Sequence, residues 1–177
     1  MHAPFALAED KPGQAPAPQQ PMQAANPSVS AVTQAAVKAG ALSCASRINQ
    51  VANFLTAGSQ WFNAVLIAPL ADPDQRLVSV SLEIQAQDAP LAYASASFAP
   101  NQANGCGGMY ETVVYWSQGC DKVASQNFGG LKRIDVKQGA PAARAPSIAI
   151  LDGGAAMKIF LMPAGQGCVS IKKEVVQ

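Results

Sequence analysis

The sequence predicts an α+β fold in which an N-terminal helical segment packs on a mostly antiparallel β-sheet that disulfides staple. Apolar residues recur at helical spacing from Ser28 to Gly58, and an alternating pattern broken by short turns replaces that spacing afterwards. The even number of cysteines, four, is the third observation. Because the turns are too short to cross a sheet, consecutive strands are expected to form an antiparallel meander.

Residues 1–27 are predicted to be a tail that precedes a single α+β domain of residues 28–177. The tail contains six prolines between Ala and Gln residues, a composition that buries too little apolar surface to fold. Residues 3–8 end in the Ala-x-Ala pattern of a signal-peptide remnant, and Met1-His2 is typical of a cloning scar. We therefore expect a periplasmic or extracellular protein. The alternative interpretation of these residues is an ordinary flexible tail rather than a signal remnant.

The helical segment and the strands are placed by turn residues and by periodicity. Asn26-Pro27 is typical of a helix start, Gly40 of a bend or break, and Gly58 of a helix end. Gly105 to Gly108 is expected to be a turn and 139–146 a loop. A short helix is predicted at 121–128, and the predicted strands are 61–70, 77–85, 91–98, 109–117, 131–137, 147–151, 157–162 and 168–172.

The cysteines are expected to form two disulfides, Cys44–Cys106 and Cys120–Cys168. A strand over 109–117 is about 30 Å long, which separates Cys106 from Cys120 by more than the roughly 4 to 7 Å that a disulfide allows between Cα atoms. A helix antiparallel to the first strand places Cys44 at the sheet end where Cys106 lies. Disulfides indicate an oxidising compartment, with free buried thiols as the alternative. No metal is expected, because the cysteines lack close pairs and the only histidine is His2.

The sequence contains few of the residue types that common catalytic mechanisms require. Without a histidine beyond His2, the chain lacks the Ser-His-Asp and Cys-His arrangements, so we predict that it is not an enzyme. The glycine-rich turns do not follow a strand and open a helix, so no phosphate loop and no cofactor is expected. Carboxylates are the remaining candidates for hydrolysis, although a solvated surface charge is the favoured interpretation of each. They are Glu83, Glu111, Asp121 and Asp152.

Aromatic residues mark the candidate binding surface. It comprises Tyr110, Glu111, Tyr115 and Trp116 on the fourth strand, with Trp61 on the first. Alternation sends Tyr110 and Trp116 to one face and Glu111 and Tyr115 to the other, so one set is expected to be accessible. Glu111 is expected to be partly buried among its aromatic and aliphatic neighbours.

From these observations we predict a non-enzymatic exported protein that binds another protein, as an envelope assembly factor, adaptor or inhibitor. The alternative is a small-ligand or glycan-binding domain that uses residues 109–117, followed by a carboxylate hydrolase. A pocket lined by Glu111, Tyr115 and Trp116 would favour the ligand, and a flat apolar surface would favour a protein partner. A net charge of +1 without a basic cluster argues against nucleic acid, and no apolar run is long enough to span a membrane. The sequence does not predict the oligomeric state.

Overall fold

A computed structural model describes residues 29–103, 105–134 and 148–176. The predicted tail and the loop at 139–146 lie outside these residues. The helices are α1 (Ala31–Lys38), α2 (Ala45–Thr56) and α3 (Cys120–Asn127). The strands are β1 (Ser59–Ile67), β2 (Val78–Ala86), β3 (Ala92–Asn101), β4 (Gly105–Trp116), β5 (Lys132–Ile134), β6 (Ala149–Asp152), β7 (Met157–Ala164) and β8 (Gly167–Val176).

The eight strands of the described part form one antiparallel sheet in the order β1-β2-β3-β4-β8-β7-β6-β5. The second half of the chain repeats the plan of the first, because α2 precedes the meander β1 to β4 and α3 precedes the meander β5 to β8. The last strands of the two meanders, β4 and β8, pair at the centre of the sheet. The predicted α+β fold with helices on an antiparallel meander is therefore confirmed.

The helical segment breaks into α1 and α2 at Gly40, as the sequence predicts. Gly40 has φ +92°, a left-handed conformation that glycine adopts without the steric cost of a Cβ atom. The Ser30 Oγ caps α1 by accepting a hydrogen bond from the Thr33 backbone N–H at 3.1 Å. The Asn49 side chain ties the two helices together by accepting from the Ser30 N–H at 2.9 Å and from the Thr33 hydroxyl at 3.1 Å.

All three helices pack on the same face of the sheet. Ile48 and Val51 of α2 belong to a buried cluster with the inward residues of β2 and β3, whereas Val123 of α3 packs with Leu161 of β7 and other residues of the second meander. Because side chains alternate along a strand, these contacts assign every second residue of each strand to the helix side. None of the helices in residues 29–103, 105–134 and 148–176 is long and apolar enough to cross a membrane.

The disulfide pairing predicted from the sequence is confirmed. Cys44–Cys106 and Cys120–Cys168 have Cα separations of 5.1 Å and 4.9 Å. In each half of the chain, the disulfide joins the start of the helix to the start of the central strand, since Cys44 precedes α2 and Cys120 opens α3. The two disulfides therefore lie at opposite ends of the β4–β8 pair, and both are compatible with an exported protein.

Two local expectations differ from the structure. The first is the helix start, because α1 begins at Ala31 behind the Ser30 cap and not at Asn26-Pro27, and the second is the turn at residues 105–108. Gly105 to Gly108 is part of β4 and pairs with β3 through Asn101, whereas the glycine content predicted a turn. The added Cβ of a residue at 108 would lie 2.9 Å from the buried Phe98 ring, so this glycine reflects close packing rather than chain reversal. The fifth strand is described only over Lys132–Ile134, so the predicted extension to 137 lies outside the described residues.

Removal of either disulfide should destabilise the fold by about 3 to 4 kcal/mol in the chain-entropy model, because each closes a long loop. The sequence separations are 62 and 48 residues. Urea denaturation of the Cys44→Ala/Cys106→Ala and Cys120→Ala/Cys168→Ala variants should show this loss. Reduction of the unfolded wild type should add the mass of two hydrogen atoms for each disulfide. Free thiols before reduction, or unchanged unfolding midpoints in both variants, would contradict the assignment.

Candidate functional site

The sheet surface opposite the helices, here called the open face, carries large apolar side chains that no described helix covers. Register defines its members, because paired residues of an antiparallel ladder project to the same side. Tyr115 is 55% exposed there, Val65 62% and Trp61 45%. The large apolar residues of the open face are Trp61, Val65, Ile67, Tyr93, Met109, Val113, Tyr115, Ile134, Ile150, Phe160, Met162, Val169, Ile171 and Val175.

Two adjacent cross-strand rows of the open face form a continuous apolar patch. The first row runs from Tyr115 on β4 through Val169 on β8 to Met162 on β7. The second row runs from β4 to the β5 edge and comprises Val113, Ile171, Phe160, Ile150 and Ile134. These eight residues are the apolar patch. With strands about 4.8 Å apart and rows about 7 Å apart, the patch occupies roughly 300 Å² of the sheet. Tyr115 and Met162 are exposed within it, and the other six side chains are partly buried.

A row of charged residues, here called the charged row, borders the apolar patch. Lys173 Nζ lies 3.0 Å from Glu111 Oε2, and Lys158 Nζ lies 3.0 Å from Asp152 Oδ1. The Lys158 ammonium and the Gly154 backbone N–H donate hydrogen bonds to Asp152 and hold the pKa of its carboxyl below the ordinary value. Apolar residues bordered by paired charges resemble the core and rim of a protein interface.

The predicted aromatic residues separate onto the two faces of the sheet. Glu111 and Tyr115 lie on the open face, and Trp61 lies three strands away on β1. Trp116 lies on the helix side, where its Nε1–H donates a hydrogen bond to the Ser170 Oγ at 2.8 Å. The sheet therefore separates Trp116 from Glu111 and Tyr115, so these three residues do not line a common pocket.

Tyr115 is held in place on the open face by close packing against the β8 backbone. A Cβ atom added at Gly167 would lie 2.6 Å from the Tyr115 hydroxyl oxygen and 2.4 Å from the Trp116 carbonyl oxygen. Glycine at 167 therefore lets the phenol ring lie across the start of β8.

The remaining candidate carboxylates lie apart from one another. Glu83 accepts a hydrogen bond from the Asn63 side-chain amide at 2.9 Å, and Asp121 lies 3.9 Å from Arg133. Within the described residues, no group of three or more His, Cys, Asp or Glu side chains could hold a metal ion. Each of these carboxylates has a local partner, and none is set against a second carboxylate.

On the helix side, Tyr110 is buried at the centre of a charged cluster that the sequence did not reveal. Its hydroxyl donates a hydrogen bond to Glu174 Oε2 at 2.5 Å and accepts one from Lys172 Nζ at 2.9 Å. Lys172 Nζ also lies 2.8 Å from Glu174 Oε2, and the Phe54 ring centroid of α2 lies 5.7 Å from that of Tyr110. The sequence places Lys172 at the predicted end of a strand, and only the β4–β8 register brings it to Tyr110.

The polar groups of the cluster bond to one another, and these contacts set the direction of each pKa shift. Burial and the hydrogen bond to Glu174 raise the pKa of Tyr110. Burial alone would lower the pKa of Lys172, but its hydrogen bonds to Glu174 and Tyr110 outweigh burial and raise it. Hydrogen bonds from Lys172 and then from Tyr110 lower the pKa of Glu174. At neutral pH the lysine and glutamate are charged and the phenol is protonated, which is a structural network rather than an activated acid or base.

Two open clefts flank this cluster. The larger, of about 360 Å³, lies beside Lys172 under the segment that follows α3 and is lined by Phe128, Leu131 and Met157, among others. The smaller, of about 190 Å³, lies between α2 and β8 and is lined by Gln50, Phe54 and Val176, among others. The polar groups between the clefts already bond to one another, so they offer a ligand few free partners.

Replacement of Glu174 by Gln should lower stability by about 1 kcal/mol at pH 7, because it removes a charge-assisted acceptor from the cluster. The pKa of Glu174 is depressed in the folded state, so its contribution is present above the unfolded pKa of about 4.3 and is lost as pH falls through the folded pKa. Urea denaturation of both proteins should show the difference at pH 7 and a smaller one near the acid end. A difference that grows on acidification would contradict this account.

No protein-family model, curated protein or solved structure shows significant similarity to this chain.

Proposed function

We propose that this chain is an exported, non-enzymatic protein that binds another protein through the open face, as an envelope assembly factor, adaptor or inhibitor. One observation carries the proposal: the helices lie on one face of the sheet, and the opposite face presents the apolar patch beside the charged row. The largest apolar patch on a typical monomer is about 300 to 600 Å² and is often functional, and this patch is about that size. The two disulfides favour an oxidising compartment.

The arrangement specifies the chemistry of the partner. The apolar patch is smaller than the roughly 800 Å² that each side of a standard interface buries, so it serves as the central part of a larger contact. The charged row and the serine-rich part of β2 and β3 supply the rim. A partner with a flat apolar surface and charges placed to meet Glu111 and Lys173 fits this pattern.

The alternative of a small ligand or glycan bound at 109–117 has weaker support. Tyr115 and Trp116 lie on opposite faces, and Trp116 is bonded to Ser170, so these aromatic rings cannot stack on one ligand. The carboxylate hydrolase has weaker support still, because the carboxylate of Glu111 is paired with Lys173.

A photo-crosslinking amino acid placed at Tyr115 in the full chain should capture one dominant protein from an envelope extract of the source organism. The same group placed at Leu42, which is 60% exposed on the helix side, should not capture it. The Met162→Lys variant should bind the captured partner at least about tenfold more weakly, because it places an unpaired charge inside the apolar patch. The Leu42→Lys variant should bind it unchanged.

Circular dichroism and melting curves should match between the variants and the wild type, so a loss of binding reports on the surface. Equal capture from positions 115 and 42, or wild-type affinity in Met162→Lys, would overturn the assignment of the open face.

A further inference from the structure

β1 forms one edge of the sheet, and no strand of the described part pairs with its outer side. It has nine residues, Ser59–Ile67, and is about 30 Å long. Its apolar side chains are exposed on both faces, with Val65 and Ile67 near 60% on the open face and Phe62 at 37% on the helix side. A long, apolar edge strand presents backbone donors and acceptors that can pair with another strand.

The opposite edge of the sheet is built differently. In the described residues β5 covers Lys132–Ile134, and Lys132 and Arg133 are exposed cations. Positive charges on an edge strand are a common protection against edge pairing. β1 contains no charged residue and no proline between Ser59 and Ile67, and its one register irregularity, between Ser59 and Trp61, leaves Trp61–Ile67 regularly paired with β2. The two edges therefore differ in their capacity to pair with another chain.

We propose that two copies of this chain associate through β1, which pairs antiparallel with the same strand of the second copy around a two-fold axis. The two sheets of eight strands then form one continuous sheet. The interface is isologous and closes at the dimer, so it leaves no further edge of this kind free.

The sequence of β1 is compatible with pairing to itself. A two-fold axis normal to the sheet keeps every side chain on its own face, so Val65 faces Trp61 or Asn63 of the second copy, depending on the residue at the centre of the pairing. Because β1 is uncharged, no like charges meet across this axis. The second copy also supplies an edge of the same length and the same pattern of apolar residues.

α1 extends the contact beyond the strand. It is the helix that packs beside β1, and Val29 and Val37 at its two ends are 57% and 43% exposed. Strand pairing combined with helix contacts gives a larger interface than backbone hydrogen bonds alone. The dimer leaves the apolar patch free in both copies and places the two open faces side by side.

Sedimentation equilibrium of the full chain at micromolar concentrations should give twice the monomer mass of 18.2 kDa. The Val65→Lys and Val65→Glu variants should each be monomeric, because each places a charge on the edge strand and the same charge of the second copy on the same face across the two-fold axis. An equimolar mixture of the two should recover the dimer. Val175→Lys, a matched change at a 46% exposed valine of β8 far from this edge, should stay dimeric.

A monomeric wild type overturns the proposal, as does an assembly larger than a dimer. A dimer that survives in both Val65 variants, or that fails to re-form in their mixture, also overturns it. A dimer lost in Val175→Lys but kept in Val65→Lys places the interface on the open face instead and overturns it as well. The experiment contains no other protein, so its outcome is independent of the proposed function.

Discussion

The antiparallel pairing of β4 with β8 is the interaction on which the rest of the structure depends. It joins two meanders that would otherwise be separate sheets of four strands, and each disulfide anchors a helix to the start of one of these two strands. At its centre, Glu111 pairs with Lys173 on the open face, and Tyr110 bonds to Lys172 and Glu174 on the helix side. The central ladder thus connects the two hydrophobic clusters and carries ion pairs on both of its faces.

Placing the helices on one side has a direct consequence for the other. An antiparallel sheet can leave one face in water, and such a face is usually polar along every strand. Here β2 and β3 follow that rule with serines, whereas β4, β6, β7 and β8 present Val113, Tyr115, Ile150, Phe160 and Ile171. The second meander therefore carries apolar residues on both faces beside its charged ones, which accounts for most of the apolar patch and supports the proposal that this surface binds a partner.

Local patterns in the sequence predicted much of the fold. Gly40 indicated the break between α1 and α2, alternation over residues 77–85 indicated the half-covered strand β2, and strand length separated Cys106 from Cys120. The residues that share the candidate surface were harder to predict, because the register between strands distant in the sequence decides which side chains lie together on one face. Lys172 meets Tyr110 across 62 residues, and Ile171 joins Val113 only through the β4–β8 register. No local sequence pattern indicates which strands pair at the centre of a sheet.

Hydroxyl-radical footprinting of the full chain tests the one-sided arrangement of helices most directly, because it reports the exposure of each side chain in solution. With helices on one face only, Tyr115 and Met162, which are 55% and 37% exposed, should be oxidised rapidly, and Tyr110 and Phe98, which are 3% and 1% exposed, should be strongly protected. Tyr115 and Tyr110 are the same residue type on the same strand, so intrinsic reactivity cannot explain a difference between them. Protection of Tyr115 and Met162 equal to that of Tyr110 and Phe98 would mean that the open face is covered in solution, which contradicts a sheet with helices on one face only.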